Sequence, residues 1–120
     1  MPSRETVDAF IAQVMSEDHV GAIEAWYAED AAMQENQGEP RVGRTVLMEG
    51  ERRMLGRMAG VKTELVGGPL VDGDTVAIRW RFTFTTPDGR ELSQEEVAWQ
   101  TWRGEQVWRE TFFYDPAQMR

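Results

Sequence analysis

The chain has 120 residues, a length suited to one domain, and its five Trp and five Phe supply large apolar side chains for a core. A formal net charge of −8 at pH 7 repels nucleic-acid phosphates and anionic lipid, so neither is an expected partner. No cysteine is present, which removes disulfides, thiolate nucleophiles and zinc–thiolate centres.

The pattern predicts three helices first. Over residues 4–16, Val7, Phe10, Ile11, Val14 and Met15 recur at i, i+3, i+4, i+7 and i+8, a one-sided stripe. Asp18 is the expected N-cap of a second helix running to about Tyr27, with Val20, Ile23 and Tyr27 on one face. A third helix is expected from about Arg44 to Met58, between Gly43 and Gly60, burying Leu47, Met54, Leu55 and Met58.

A short strand is expected at Ala32–Glu35, then a loop over Asn36–Val42. Strands follow near 61–67, 74–86, 91–102 and 106–114, punctuated by Gly67-Gly68-Pro69, Asp72-Gly73-Asp74, Pro87-Asp88-Gly89 and Arg103-Gly104-Glu105. Helices gathered before an antiparallel meander define an α+β class, with residues 1–120 as one domain. No signal-peptide core follows Met1 and no apolar run approaches about 20 residues, so a soluble cytoplasmic protein is expected.

Local motifs carry a resemblance. Tyr27-Ala28-Glu29-Asp30-Ala31, Arg41-Val42-Gly43-Arg44, and Glu96-Val97 leading through Gly104-Glu105-Gln106-Val107 to Phe113-Tyr114-Asp115-Pro116 resemble the nuclear-transport-factor-2-like superfamily, in its SnoaL-like branch. The resemblance implies a cystatin-like cone: a curved, mostly antiparallel sheet wrapped around three N-terminal helices, often dimeric through the outer sheet face. Ketosteroid isomerase resembles residues 26–41, which places its general base on Glu35, although its oxyanion-hole Tyr and protonated Asp fall near Ile11 and Ala98. Limonene-epoxide hydrolase is similar from Glu29 to Asp115. Its catalytic Arg falls on Arg79, its two Asp on Arg81 and Phe112, and its Tyr and Asn on Met33 and Glu35. The acid–base Asp of SnoaL-type cyclases also falls near Phe112.

Two registers are open for residues 76–85. Hydropathy turns Val76, Ile78, Trp80, Phe82 and Phe84 inward. The resemblance turns Arg79 and Arg81 inward instead, and is the reading followed here because it also sets Val97, Trp99 and Phe113 outward. An outer face of Ile78, Trp80, Phe82, Val97 and Trp99 would then join a homodimer.

In that register Glu35, Arg79 and Glu110 are the candidate catalytic residues. Met33, Met54, Met58, Arg81, Gln94, Glu96, Ala98, Trp102, Phe112 and Tyr114 are the candidate substrate contacts, with Gln100 among the polar wall. The expected ligand is a small hydrophobic molecule. Glu35 would remove a proton or activate water, and Arg79 would stabilise developing negative charge. The competing reading is a non-catalytic binding or dimerisation module whose Glu and Arg side chains pair across the sheet. No cofactor or metal is implied. His19, the sole histidine, is expected at the surface at a helix start.

Overall fold

The Ser3 hydroxyl accepts from Thr6 N at 3.1 Å and so caps α1, Arg4–Met15. Asp18 caps α2, His19–Trp26, by accepting from Gly21 N at 3.1 Å. The computed structural model describes residues 1–119. After α2 come β1 (Tyr27–Glu35), β2 (Arg41–Val42), α3 (Arg44–Gly56), β3 (Gly60–Asp72), β4 (Thr75–Thr85), β5 (Glu91–Arg103), β6 (Gln106–Phe113) and a closing 3-10 turn, Pro116–Met119.

The six strands form one sheet in the order β2-β1-β6-β5-β4-β3. Every pairing is antiparallel except β1 with β6, which is parallel. The α+β class and the mostly antiparallel curved sheet expected from the sequence are what the chain forms. The helices cover the concave face. There Val7 and Phe10 of α1, Ile23 of α2 and Leu47 of α3 bury against Ile78, Trp80 and Trp102 of the sheet. Phe10 meets Trp102 edge-on, ring centroids 5.8 Å apart.

Several boundaries differ from expectation. β1 begins at Tyr27 rather than Ala32, because its first residues pair with β6 through a bulge between Tyr27 and Ala32. The loop at 36–42 contains β2, paired with Ala32 and Met33. α3 stops at Gly56, and only Leu47 on it is fully buried. Gly67-Gly68-Pro69 does not end a strand: β3 passes through it with register shifts on either side. Gly68 has φ +87°, and a Cβ there would lie 2.8 Å from the Ala77 carbonyl oxygen, so the position requires glycine.

The largest correction concerns β4. Val76, Ile78, Trp80 and Phe84 are buried, whereas Arg79 is exposed and Arg81 half-exposed on the convex face. The β4–β5 turn decides this. Thr85 pairs with Glu91 across residues 86–90, a loop closed by Thr86 N donating to Arg90 O at 2.8 Å. Even-numbered residues therefore sit opposite even-numbered ones, and Trp80 lies beside Glu96. A one-residue slip would be needed to bring Arg79 and Arg81 to the side of Glu96. The dimer face drawn through Ile78, Trp80 and Phe82 is overturned with it. Val97, Trp99 and Phe113 do point outward, Trp99 being 51% exposed.

Candidate functional site

The open space between helices and sheet is a cavity of about 160 Å³. A cavity of roughly 150 Å³ holds one benzene-sized ring. The sheet wall is aromatic and acidic, built from Trp80, Phe82 and Phe84 of β4, Gln94 and Glu96 of β5, and Glu110 and Phe112 of β6. Strand alternation explains it: β4, β5 and β6 all present even-numbered residues inward at this level. Phe10, His19, Glu51 and Met54 close the helix side, and Tyr27 and Met33 of β1 complete the floor. Glu35 and Arg41 also line it, their side chains about half exposed.

Glu110 is 3% exposed and Gln100 fully buried. They belong to one hydrogen-bond chain: Trp102 Nε1 donates to Gln100 Oε1 at 2.9 Å, and Gln100 Nε2 donates to Glu110 Oε2 at 2.7 Å. The Tyr27 hydroxyl donates to Glu110 Oε1. Burial pushes the Glu110 carboxyl up to about 7, against the pull of these two donors. Burial and the Glu110 charge raise the Tyr27 phenol well above its ordinary value.

Glu96 is 8% exposed. Its Oε2 accepts from Gln94 Nε2 at 3.3 Å, and Oε1 has no partner among the described residues. Burial, reinforced by the Glu110 charge, pushes this carboxyl up to about 8. One cavity thus holds an acid that stays protonated at neutral pH and a second that titrates near it, a separation suited to proton transfer.

The remaining predicted site residues divide cleanly. Gln94, Glu96, Glu110, Met33, Met54 and Phe112 line the cavity, and Glu35 stands there with Arg41 Nη2 3.8 Å from its Oε2. The Tyr114 hydroxyl donates to Glu35 Oε1 at 3.2 Å, outside the lining. Ala98 and Trp102 face inward but are sealed in the core, and Met58 lies beyond the cavity. Arg79 and Arg81 are on the other side of the sheet. Arg79 Nη2 donates to Glu95 Oε2 at 2.9 Å, and Arg81 donates to Glu95 Oε1 from Nε at 3.1 Å. The guanidiniums hold the Glu95 carboxyl below its ordinary range.

His19 is not at the surface but buried, on the cavity wall. A signal for it exists in the sequence: residues 19, 22, 23 and 26 form a helical stripe, and His19, Ala22 and Ile23 are the buried residues of α2. Tyr27, Arg41 and Glu51 were likewise not singled out as site residues, because their approach depends on how β1, β2 and α3 pack. Among the described residues, no group of three or more His, Cys, Asp or Glu is placed to hold a metal ion. No helix among them is long and apolar enough to cross a membrane.

Comparison with known proteins agrees with this architecture. Residues 7–110 match the family model of the SnoaL-like domain. No curated protein matches the chain. Among solved structures, a Mesorhizobium loti protein assigned as a SnoaL-like polyketide cyclase superposes with a TM-score of 0.79 at 26% identity, covering 95% of this chain and 100% of its own. An NTF2-like protein of Burkholderia pseudomallei gives 0.81 at 15% identity, covering 96% and 92%. A Catenulispora acidiphila protein with a ketosteroid isomerase-like fold, in complex with trimethylamine, gives 0.80 at 17% identity, covering 98% and 90%. With the family pattern spanning nearly the whole chain and the same cone in each neighbour, the protein belongs to the SnoaL-like family of the NTF2-like superfamily.

Proposed function

We propose that this protein is an acid–base enzyme that moves a proton between carbon and oxygen of a small, largely apolar organic molecule. The observation that carries the proposal is the pair of buried carboxyls, Glu96 and Glu110, on the aromatic wall of a cavity the size of one ring. Glu96, with one free oxygen, gives its proton to a carbonyl oxygen as the ligand enolises. Glu110, steadied by Tyr27 and Gln100, takes the proton leaving carbon. Return of both protons, with carbon reprotonated at another position, isomerises the ligand and restores the site. Trp80, Phe82 and Phe84 exclude water and make each charge count for more. Glu35 is half exposed and held by Arg41 and Tyr114, so its part is to orient the ligand at the entrance.

The test is deuterium uptake into cyclohex-2-enone in D2O. Wild type should exchange faster than buffer, and Glu96→Gln and Glu110→Gln should each return the rate toward buffer. If Glu35→Gln alone abolished exchange, the base would be Glu35 and this assignment would fall.

A second reading has its own support. Four carboxyl groups, from Glu35, Glu51, Glu96 and Glu110, line the cavity against the one guanidinium of Arg41, among Tyr27, Trp80 and Phe82. Such an aromatic, acidic lining suits a small ammonium ion, and the Catenulispora neighbour holds trimethylamine. In this reading the protein binds an amine without transforming it. Calorimetry with trimethylammonium separates the two: strong uptake by a protein that exchanges no enone protons would favour the binding module.

A further inference from the structure

The paired carboxyls account for the sheet wall only. On the helix side stands His19, the protein's sole histidine, 8% exposed and lining the cavity. Its ring is held from behind. Nε2 lies 2.8 Å from Thr63 Oγ1. The Thr63 hydroxyl donates to Glu17 Oε2 at 2.7 Å, and Thr63 N donates to Glu17 Oε1 at 2.9 Å. A hydroxyl has a single proton to give. With that proton on Glu17, Thr63 Oγ1 can only accept from the ring, so Nε2 carries the hydrogen.

In the neutral state that tautomer leaves a bare lone pair at Nδ1. That nitrogen lies 3.5 Å from Glu51 Oε1, too far for a good hydrogen bond. Glu51 reaches in from α3 and lines the same cavity, 24% exposed. The other groups against the ring are Phe82, edge-on at 5.4 Å between centroids, and Glu17, 3.6 Å from Nε2. In that state two acceptors, Nδ1 and Glu51 Oε1, stand side by side. A donor supplied by a ligand would satisfy both.

We infer that His19 Nδ1 and Glu51 form a recognition site for a hydroxyl or N–H group of the ligand, with the Glu17–Thr63 chain holding the imidazole in the required tautomer. The inference rests on the cavity being the ligand site, as proposed above, but not on turnover. It narrows the ligand to a ring-sized molecule carrying a hydrogen-bond donor at its helix-side end. His19 is here a specificity-determining residue, and Thr63 a positioning residue that acts through it.

The sole histidine makes the test unambiguous. Long-range proton–nitrogen NMR of the wild type, with the ring neutral, should show a protonated Nε2 and a bare Nδ1. Phenol should shift Nδ1 more than Nε2 and bind roughly tenfold more tightly than toluene, the worth of about one hydrogen bond. Thr63→Val should release the ring to a mixture of tautomers and erase most of the preference for phenol. A protonated Nδ1 in the free protein overturns the inference, as does equal binding of phenol and toluene, or a Thr63→Val spectrum like that of wild type. Phenol binding that moves the amide of Gly50, another residue of the cavity lining, but not Nδ1 overturns it while leaving the acid–base proposal standing. Failure of phenol to bind at all also overturns it, and enone exchange then decides the acid–base proposal by itself.

Discussion

The Tyr27 hydroxyl donates to the Glu110 carboxylate across the parallel seam of the sheet, and Gln100 holds the other carboxylate oxygen at 2.7 Å. Tyr27 and Glu110 are 83 positions apart in sequence, yet the fold makes Tyr27 one of the two donors to this buried carboxylate. Tyr27→Phe removes one of the two donors and nothing else. The expected result is a loss of about 1–3 kcal/mol of stability at pH 8, where the carboxyl is ionised, and a smaller loss at pH 5. Urea denaturation at the two pH values measures it.

Stability should fall as pH rises through neutrality. Glu110 and Glu96 titrate at about 7 and about 8 in the fold, above the ordinary 4.5. The folded state therefore binds protons that the unfolded chain has already released. Their contribution is complete below about pH 4.5 and lost by about pH 8, at about 1.4 kcal/mol per unit of displacement. Glu96→Gln should flatten this decline and leave the variant more stable than wild type at pH 8. Thermal midpoints at pH 5, 7 and 8.5 decide it, and parallel curves for the two proteins would contradict the burial argument.

The same two groups set the expected pH profile of enone exchange. Exchange needs Glu110 ionised and Glu96 protonated, so the rate should peak between about 7 and 8 and fall on either side. Glu96→Gln should lower the peak by about a hundredfold or more, and Glu35→Gln by less than about tenfold. A Glu96→Gln protein that kept the alkaline limb would assign that limb to another group.

Arg79 and Arg81 share Glu95 on the outer face of the sheet, all three partly open to water. Exposed pairs of this kind contribute little. Arg79→Ala and Arg81→Ala should leave both the unfolding midpoint and enone exchange close to wild type. A large loss of exchange in either variant would return these arginines to the mechanism.

Gly68→Ala should destabilise the protein by about 1–3 kcal/mol, because φ is +87° and a Cβ would stand 2.8 Å from the Ala77 carbonyl oxygen. Urea unfolding of the purified variant reads the cost directly. Gly73→Ala, also at positive φ but with open space around it, is the control and should lose less.

Much of the sheet wall was legible in the sequence where strand alternation was joined to the family resemblance. Glu96, Ala98, Gln100, Glu110 and Phe112 share the inward face as expected, since β5 and β6 keep one register through this stretch. For β4 the hydropathy of Val76, Ile78, Trp80, Phe82 and Phe84 pointed the right way and the resemblance the wrong way. Burying an aromatic side chain is worth more than sealing a guanidinium in the interior. The turn at 86–90 carried the same information, because loop length sets which residues of the two strands stand opposite.

What the sequence by itself determined is the order and kind of elements, the cone they build and the inward face of the last two strands. The elements follow from periodicity, caps and turns, which act between near neighbours in the chain, and the cone and the inward face followed from the family resemblance that the local motifs carry. Only the tertiary structure decided which acids lose their water. Glu35 is a strand-end residue that stays half exposed, whereas Glu96 and Glu110 lie beneath the helices, and His19 is drawn inward between Glu51 and Thr63. The proton affinity of a carboxyl depends on the solvent and charges around it, and those are brought together only when distant segments pack.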